Sequence, residues 1–158
     1  MDQTYYICSR VKWKGQINME ITTEIIEQKF REYNKEYFNK ALPTPKFGLL
    51  KTYMTCGYFS CKKIIGKRRL KGQRLDISVY YDWDEEELKS VIIHEMIHYY
   101  LAYKHIDNEL THGDAFMAMA HEFNEKYNLK IAEKVDCRGF KKAQNAPSLS
   151  WFFVQMFA

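Results

Sequence analysis

The apolar positions between residues 22 and 42 recur at the spacing of a helix. Three or four residues separate them, with charged residues between. The positions are Ile26, Phe30, Tyr33 and Tyr37. One apolar stripe of this period is typical of an amphipathic helix with one buried face. Since Pro43 and Pro45 cannot continue a helix, the pattern predicts a helix over residues 22–42.

The chain from residue 46 to residue 81 has the shorter period of β-strands. The segments 46–54 and 57–63 are two candidate strands. In the third segment, apolar residues alternate with polar ones, which predicts a strand with one buried face. Its apolar residues are Leu75, Ile77, Val79 and Tyr81. The second and third strands are joined by residues 62–74, which we expect to form a basic loop or hairpin tip.

Two further helices are predicted at residues 85–105 and 112–127. Asp84 with Glu87 three residues later resembles a capping box, although its cap residue is Asp. Thr111 or Asp114 is expected to cap the later helix, and residues 128–158 have no clear periodicity. The elements predict an α+β protein. We expect an N-terminal extension (1–21), one domain (22–128) and a C-terminal appendage packing on that domain (129–158).

The most apolar run of the central chain contains three polar side chains. Residues 91–103 read VIIHEMIHYYLAY, with His94, Glu95 and His98 inside a helix that is otherwise apolar. Burying such groups costs several kcal/mol unless they are paired or bind something. We therefore expect the functional site here.

The spacing of these three residues suits a zinc site. Residues four apart lie on one helix face, so His94 and His98 can share a tetrahedral zinc at roughly 2.0–2.1 Å. Glu95 can then act as a base on water at the metal's open position. The alternative is a hydrogen-bonded buried triad without metal.

A catalytic zinc needs a third protein ligand. The candidates are His105, His112, His121, Glu109 and Glu122. His105 lies two helical turns beyond His98, about 10 Å away, which is too far for a shared zinc. His112 follows a turn that can bring it back beside His98, so it is preferred. His121 is expected to face elsewhere, and the two glutamates remain alternatives.

These residues resemble the SprT-like zinc metalloproteases. HEMIHYYLAY followed by THGDAF is similar to the family pattern of HExxH, a variable turn and His-Gly-x-x-Phe, and YNKEYFNKALPTPKFG resembles its first helix. The resemblance covers about residues 22–128. It implies that His94, His98 and His112 bind one zinc ion and that Glu95 is the catalytic base. It also implies a small zincin-like fold with an N-terminal helix, a three-stranded sheet, the HExxH helix and a following helix carrying the third ligand.

The cysteines depart from the family pattern. Many members carry a four-cysteine zinc ribbon after the protease domain, but after Cys61 this chain has only Cys137. We therefore expect no ribbon. Cys56 and Cys61 make an incomplete metal site and are expected to be buried free thiols.

A basic stretch precedes the third strand and puts seven positive charges into thirteen residues. They are Lys62, Lys63, Lys67, Arg68, Arg69, Lys71 and Arg74. Two interpretations remain: a solvated hairpin tip, or a nucleic-acid surface with Tyr58 and Phe59 as neighbouring aromatics. The SprT-like family includes Spartan, a protease switched on by DNA that cleaves proteins crosslinked to DNA, so the resemblance strengthens the second interpretation.

Composition and charge set the broad class. The net charge of +4 permits an anionic partner without requiring one. No run approaches the roughly 20 apolar residues of a membrane span, so no membrane partner is expected. The N-terminus has no apolar segment behind a basic one, which predicts no signal peptide and a cytoplasmic protein with reduced thiols.

Two functions follow from the sequence. The first is a zinc-dependent endopeptidase that acts on protein or peptide substrates and pairs an extended substrate with a strand edge near residues 56–63. The family resemblance further implies an association with DNA and action on DNA–protein crosslinks. The second is a non-catalytic DNA-binding or interaction module with a structural zinc. The HExxH motif favours the first, because a structural site has no use for Glu95 as a base.

Overall fold

A computed structural model describes residues 20–63, 70–106, 112–135 and 137–146. The predictions for residues 1–19 and for the end of the appendage, 147–158, lie outside the described residues. So do the individual predictions for Lys67, Arg68, Arg69, Glu109 and Thr111.

The described residues form three α-helices and one three-stranded sheet, which confirms the α+β class. The elements, in chain order, are α1 (Thr23–Tyr37), β1 (Lys46–Leu50), β2 (Gly57–Lys63), β3 (Leu70–Ser78), α2 (Glu85–Tyr103), α3 (Asp114–Tyr127) and a 3₁₀ turn at Cys137–Gly139.

Helix α1 buries the face predicted from its periodicity, but it ends earlier than predicted. The Thr22 hydroxyl caps its N-terminus by accepting from the Ile25 amide, 3.3 Å away. After Phe38, both Asn39 and Lys40 adopt left-handed backbone angles, which end the helix. The predicted end at residue 42 is therefore wrong.

The sheet has the order β1–β3–β2, with β1 parallel and β2 antiparallel to β3. Phe59, Leu75 and Ile77 on its inner face are fully or nearly fully buried. Strand β3 begins at Leu70, earlier than the predicted start at residue 75. The basic stretch is therefore partly strand, because Lys62 lies in β2 and Lys71 lies in β3.

Helix α2 is the centre of the core. Asp84 and Glu87 form the predicted capping box, in which the Glu87 amide donates to Asp84 Oδ1 at 2.7 Å. Residues 91–99 are all buried, since α2 contacts the sheet, α1 and α3 on different sides. Despite this apolar character, no helix among the described residues is long and apolar enough to span a membrane.

The chain after α3 folds back along the domain. Asn128 has left-handed backbone angles and ends α3. We call residues 129–135 and 137–146 the C-terminal strap. The strap buries Ile131, and its other end pairs with the segment before α2, where the Asp82 amide donates to the Lys141 carbonyl at 2.7 Å. The Phe140 ring packs on Trp83 with centroids 5.2 Å apart.

A disulfide joins the strap to the start of β2. It links Cys56 to Cys137 across 81 residues of sequence, while Cys61 is a half-buried free thiol. The expectation of a free thiol is therefore wrong for Cys56. The chain reversal after α3 brings Cys137 beside Cys56, and local sequence spacing gives no sign of a pairing across 81 residues.

Candidate metal centre

Three histidines from two segments converge at one point beside α2. His94 and His98 lie one turn apart on α2, and His112 comes from the residues just before α3. The His112 Nε2 atom lies 3.0 Å from His94 Nε2 and 3.1 Å from His98 Nε2. Each of the three residues offers a ligand atom, and these atoms lie within 4.8 Å of one another. The group can therefore hold a metal ion.

A hydrogen bond sets the orientation of the His94 ring. His94 Nδ1 lies 3.0 Å from the carbonyl oxygen of Ala132, in the C-terminal strap. Because a carbonyl only accepts, Nδ1 must carry the hydrogen and donate. In the neutral ring, Nε2 then presents its lone pair toward His98 and His112, as a metal ligand does.

The Phe116 ring packs against all three imidazoles. Its centroid lies 4.7 Å from that of His94, 4.5 Å from that of His98 and 4.9 Å from that of His112. Phe116 is fully buried and lies in the first turn of α3, so it fills the space behind the rings. This packing restricts their rotation. The terminal Phe of the His-Gly-x-x-Phe pattern therefore has a structural role at the site.

Burial favours the neutral form of His94 and of His112, which is the form that binds metal. Burial, with the nearby His98 and His112 as smaller causes, lowers the pKa of His94 to about 3. Burial also lowers the pKa of His112. Neutral imidazole is the ligand form for zinc and for several other divalent metals.

The donor set fits zinc. Nitrogen ligands at roughly 2.0–2.1 Å from one tetrahedral zinc lie about 3.3 Å from one another. The observed separations of 3.0 and 3.1 Å are close to that spacing. Three protein ligands also leave a fourth position open, as in catalytic zinc sites.

The Glu95 carboxyl is buried between α2 and β2. Its Oε2 atom accepts a hydrogen bond from the Phe59 amide at 2.9 Å. Burial raises the pKa of Glu95 to about 8, and the Phe59 hydrogen bond partly opposes that shift. A cation held by the neighbouring histidines would favour the ionised carboxylate.

Glycine at position 57 permits this close approach of β2 to Glu95. A Cβ atom there would lie 2.8 Å from Val91 Cγ1, 3.0 Å from Glu95 Cγ and 3.1 Å from Glu95 Oε1. The contact with Val91 is too short for a Cβ atom unless the side chain or the strand moves, and the two contacts with Glu95 are also tight. Any other side chain at this position would push the strand away from the carboxyl.

The other predicted ligand candidates are placed elsewhere. His105 follows α2 with left-handed backbone angles, φ 58°, and is not in the histidine group. His121 and Glu122 are exposed on α3. Among the described residues, His112 is therefore the third member of the group, as preferred from the sequence.

The described part of the basic stretch lies on the two paired strands. Lys62, Lys63 and Lys71 are exposed, and Lys62 is the direct cross-strand partner of Lys71. Arg74 Nε lies 2.8 Å from Oδ1 of the buried Asp76, so this guanidinium forms an ion pair within the sheet. Arg74 is thus a weaker candidate for an anionic partner than the three lysines.

The supporting contacts of the site could not be identified from the sequence. The Phe59 amide and the Ala132 carbonyl are backbone groups, which carry no residue signature. Phe59 lies 36 residues before Glu95, and Ala132 lies 38 residues after His94. Only Phe116 had a sequence signal, through the His-Gly-x-x-Phe pattern.

The fold and the site define a class of protein: a small α+β domain in which an HExxH helix and a following segment assemble three histidines beside a buried glutamate. The model of the SprT-like family matches residues 26–135, well over half of the chain. The chain therefore belongs to the SprT-like family. A search of curated proteins finds no match, and a search of solved structures finds none.

The pH dependence of stability tests the burial of Glu95 in the metal-free protein. A carboxyl whose pKa is 4.5 when exposed and about 8 when folded destabilises the fold progressively as pH rises through this interval. Glu95→Gln removes this titration and keeps an acceptor for the Phe59 amide. We expect the variant, relative to the wild type, to gain at least about 1 kcal/mol between pH 5 and pH 8.5.

Urea unfolding of both proteins in the presence of a chelator measures this difference. The lowered pKa of His94 destabilises both proteins alike as pH falls below 6.5, so it cancels in the comparison. A difference in unfolding free energy that stays constant from pH 5 to pH 8.5 would contradict the buried environment of Glu95.

Proposed function

We propose that this chain is a zinc-dependent endopeptidase of the zincin type. One observation carries the proposal: three imidazoles converge at one point, and two of them, His94 and His98, lie on the same helix as the buried Glu95, which is next to His94 in sequence. Membership of the SprT-like family supports it. A purely structural metal site would have no need of a buried carboxyl beside its ligands.

His94, His98 and His112 would hold the zinc ion. When bound, zinc acts as a Lewis acid on the scissile carbonyl and lowers the pKa of water to about 7. Glu95 accepts a proton from the attacking water and then delivers it to the nitrogen of the leaving amine. Burial raises the pKa of Glu95, which favours holding the proton for the second step, while a bound cation favours the ionised carboxylate that accepts it in the first.

The substrate would bind in an extended form along β2. The strand order places β2 at one edge of the described sheet, beside the helix that carries Glu95. An edge strand offers unpaired backbone groups to an incoming segment, the mode called β-augmentation. Such pairing reads the backbone rather than side chains, which suits a protease acting on varied proteins.

The proposal extends to DNA-associated proteolysis, with proteins crosslinked to DNA as substrates. Lys62 and Lys71 are exposed and face each other directly across β2 and β3. Like charges in this position are destabilising. A polyanion bound between them would relieve the repulsion, so the pair favours a phosphate backbone as a partner.

The central test is cleavage by Glu95→Gln. We expect this variant to bind zinc like the wild type, because the three histidines are unchanged, and to lose at least about 100-fold in cleavage rate, since general acid–base transfer contributes that much or more. The measurement is cleavage of an unfolded test protein by equal amounts of zinc-loaded wild type and variant. Glu122→Gln, an exposed change on α3, is the control and should keep full activity.

Full activity in Glu95→Gln would refute its role as the base. A wild type that binds zinc and DNA but cleaves nothing, with or without DNA, would instead support a non-catalytic module with a structural zinc.

The DNA part of the proposal has its own test. Lys71→Gln should weaken binding to single-stranded DNA and lower the slope of log affinity against log salt by about 0.7, because one phosphate contact is lost. The same substitution should not destabilise the fold, since it removes a repulsion with Lys62. Fluorescence anisotropy with a labelled oligonucleotide at several salt concentrations measures both quantities.

Lys35→Gln on α1 is a control with the same change in net charge. Equal losses of affinity in both variants would show only an effect of total charge, and unchanged affinity in Lys71→Gln would exclude this strand pair as the contact.

A further inference from the structure

The His94 ring depends on a strap segment that has no regular secondary structure of its own. Ala132, whose carbonyl accepts from His94 Nδ1, lies between α3 and the 3₁₀ turn, outside any helix or strand. An irregular segment does not hold a carbonyl in place by its own backbone hydrogen bonds. Something else must fix the position and direction of this acceptor.

The side chain of Asn124 fixes the neighbouring peptide groups. Asn124 Nδ2 donates to the Ile131 carbonyl at 2.9 Å, and the Ile131 amide donates to Asn124 Oδ1 at 2.8 Å. The side-chain amide of Asn124 therefore binds both the backbone amide and the backbone carbonyl of Ile131. Ile131 is also buried, so its side chain anchors the same point.

Two bonds to one residue restrict its rotation as well as its position. The Ala132 carbonyl lies in the next peptide group, so the clamped Ile131 restricts where this acceptor can lie. Helix α3 provides the clamp, and the same helix begins directly after His112 and carries Phe116. Helix α3 therefore supports the site in three ways. It begins directly after His112, its Phe116 ring packs against all three imidazoles, and its Asn124 holds the strap segment that bonds to His94.

We propose that Asn124 is a positioning residue for the metal centre, acting on His94 through Ile131 and Ala132. The part of this inference that concerns zinc affinity rests on the proposed function as a zinc enzyme. Asn124 itself is not catalytic and touches none of the three rings in the contacts that define the site. Its role is to keep the hydrogen on His94 Nδ1 and the lone pair on Nε2 aimed at the metal.

The chain contains a matched control for this clamp. Asn34 on α1 makes the same pair of bonds to Leu42, with Nδ2 donating to the carbonyl at 2.8 Å and the Leu42 amide donating to Oδ1 at 3.2 Å. Both asparagines are half-buried. The segment that Asn34 holds meets α2 through the Tyr99 hydroxyl, which donates to the Pro43 carbonyl, rather than through a histidine of the site.

The experiment compares Asn124→Ala with Asn34→Ala. Zinc affinity is measured by competition with a chromophoric chelator, well below the melting temperature of either variant. We expect Asn124→Ala to weaken zinc binding about 10- to 100-fold, the usual effect of losing support behind a ligand. Asn34→Ala should lower the melting temperature comparably and leave zinc affinity within about twofold of the wild type.

Two spectroscopic readouts separate positioning from general stability. Cobalt substituted for zinc should give altered visible absorption in Asn124→Ala and a wild-type spectrum in Asn34→Ala. Nitrogen-15 NMR of the metal-free protein should find the hydrogen of His94 on Nδ1 in the wild type and in Asn34→Ala, and a mixture of tautomers in Asn124→Ala. The tautomer of His94 is measured in the metal-free protein, so this measurement tests the role of Asn124 even if the chain is not a zinc enzyme.

If Asn124→Ala does not fold, Asn124→Asp takes its place. It keeps an acceptor for the Ile131 amide and loses the donor to the Ile131 carbonyl, so the same losses should appear in smaller form. Zinc affinity within twofold of the wild type together with an unchanged His94 tautomer would overturn the proposal. An equal loss of zinc affinity in Asn34→Ala would overturn it too.

Discussion

The burial of three polar side chains inside the most apolar helix is the constraint on which the rest of the structure depends. His94, Glu95 and His98 are each less than a tenth exposed, in a stretch where every residue from 91 to 99 is buried. Polar groups in such a place destabilise the fold unless each has a partner. The contacts around α2 come from the edge strand β2, the C-terminal strap and the start of α3.

These partners have complementary tasks. The Phe59 amide of the edge strand holds Glu95, and Gly57 lets that strand come close enough. The strap supplies an acceptor for His94 through Ala132, and α3 packs Phe116 against the rings. A buried carboxyl with a raised pKa and neutral imidazoles with lowered pKa values are what burial alone produces. A bound cation turns this costly arrangement into a favourable one.

Local patterns in the sequence predicted the parts of the fold that depend on local interactions. The buried face of α1 and the capping box of α2 follow from side-chain spacing within a few residues, and the structure has both. The HExxH spacing likewise depends on one helical turn. Features that depend on distant contacts were predicted wrongly or not at all. Strand β3 begins earlier because Leu70 pairs with Lys63, and Cys56 pairs across 81 residues with Cys137. The early end of α1 is local, but the apolar spacing does not reveal it, since it comes from the left-handed backbone angles of Asn39 and Lys40.

The most direct test of the central claim is the zinc content of the purified protein, measured by elemental mass spectrometry beside His112→Ala and His121→Ala. The account predicts about one zinc per chain in the wild type and in His121→Ala, whose exposed side chain lies outside the histidine group. His112→Ala should lose the metal or bind it much more weakly. Equal zinc in all three proteins would remove His112 from the site. No zinc in any of them, even after refolding with zinc present, would contradict the metal centre itself.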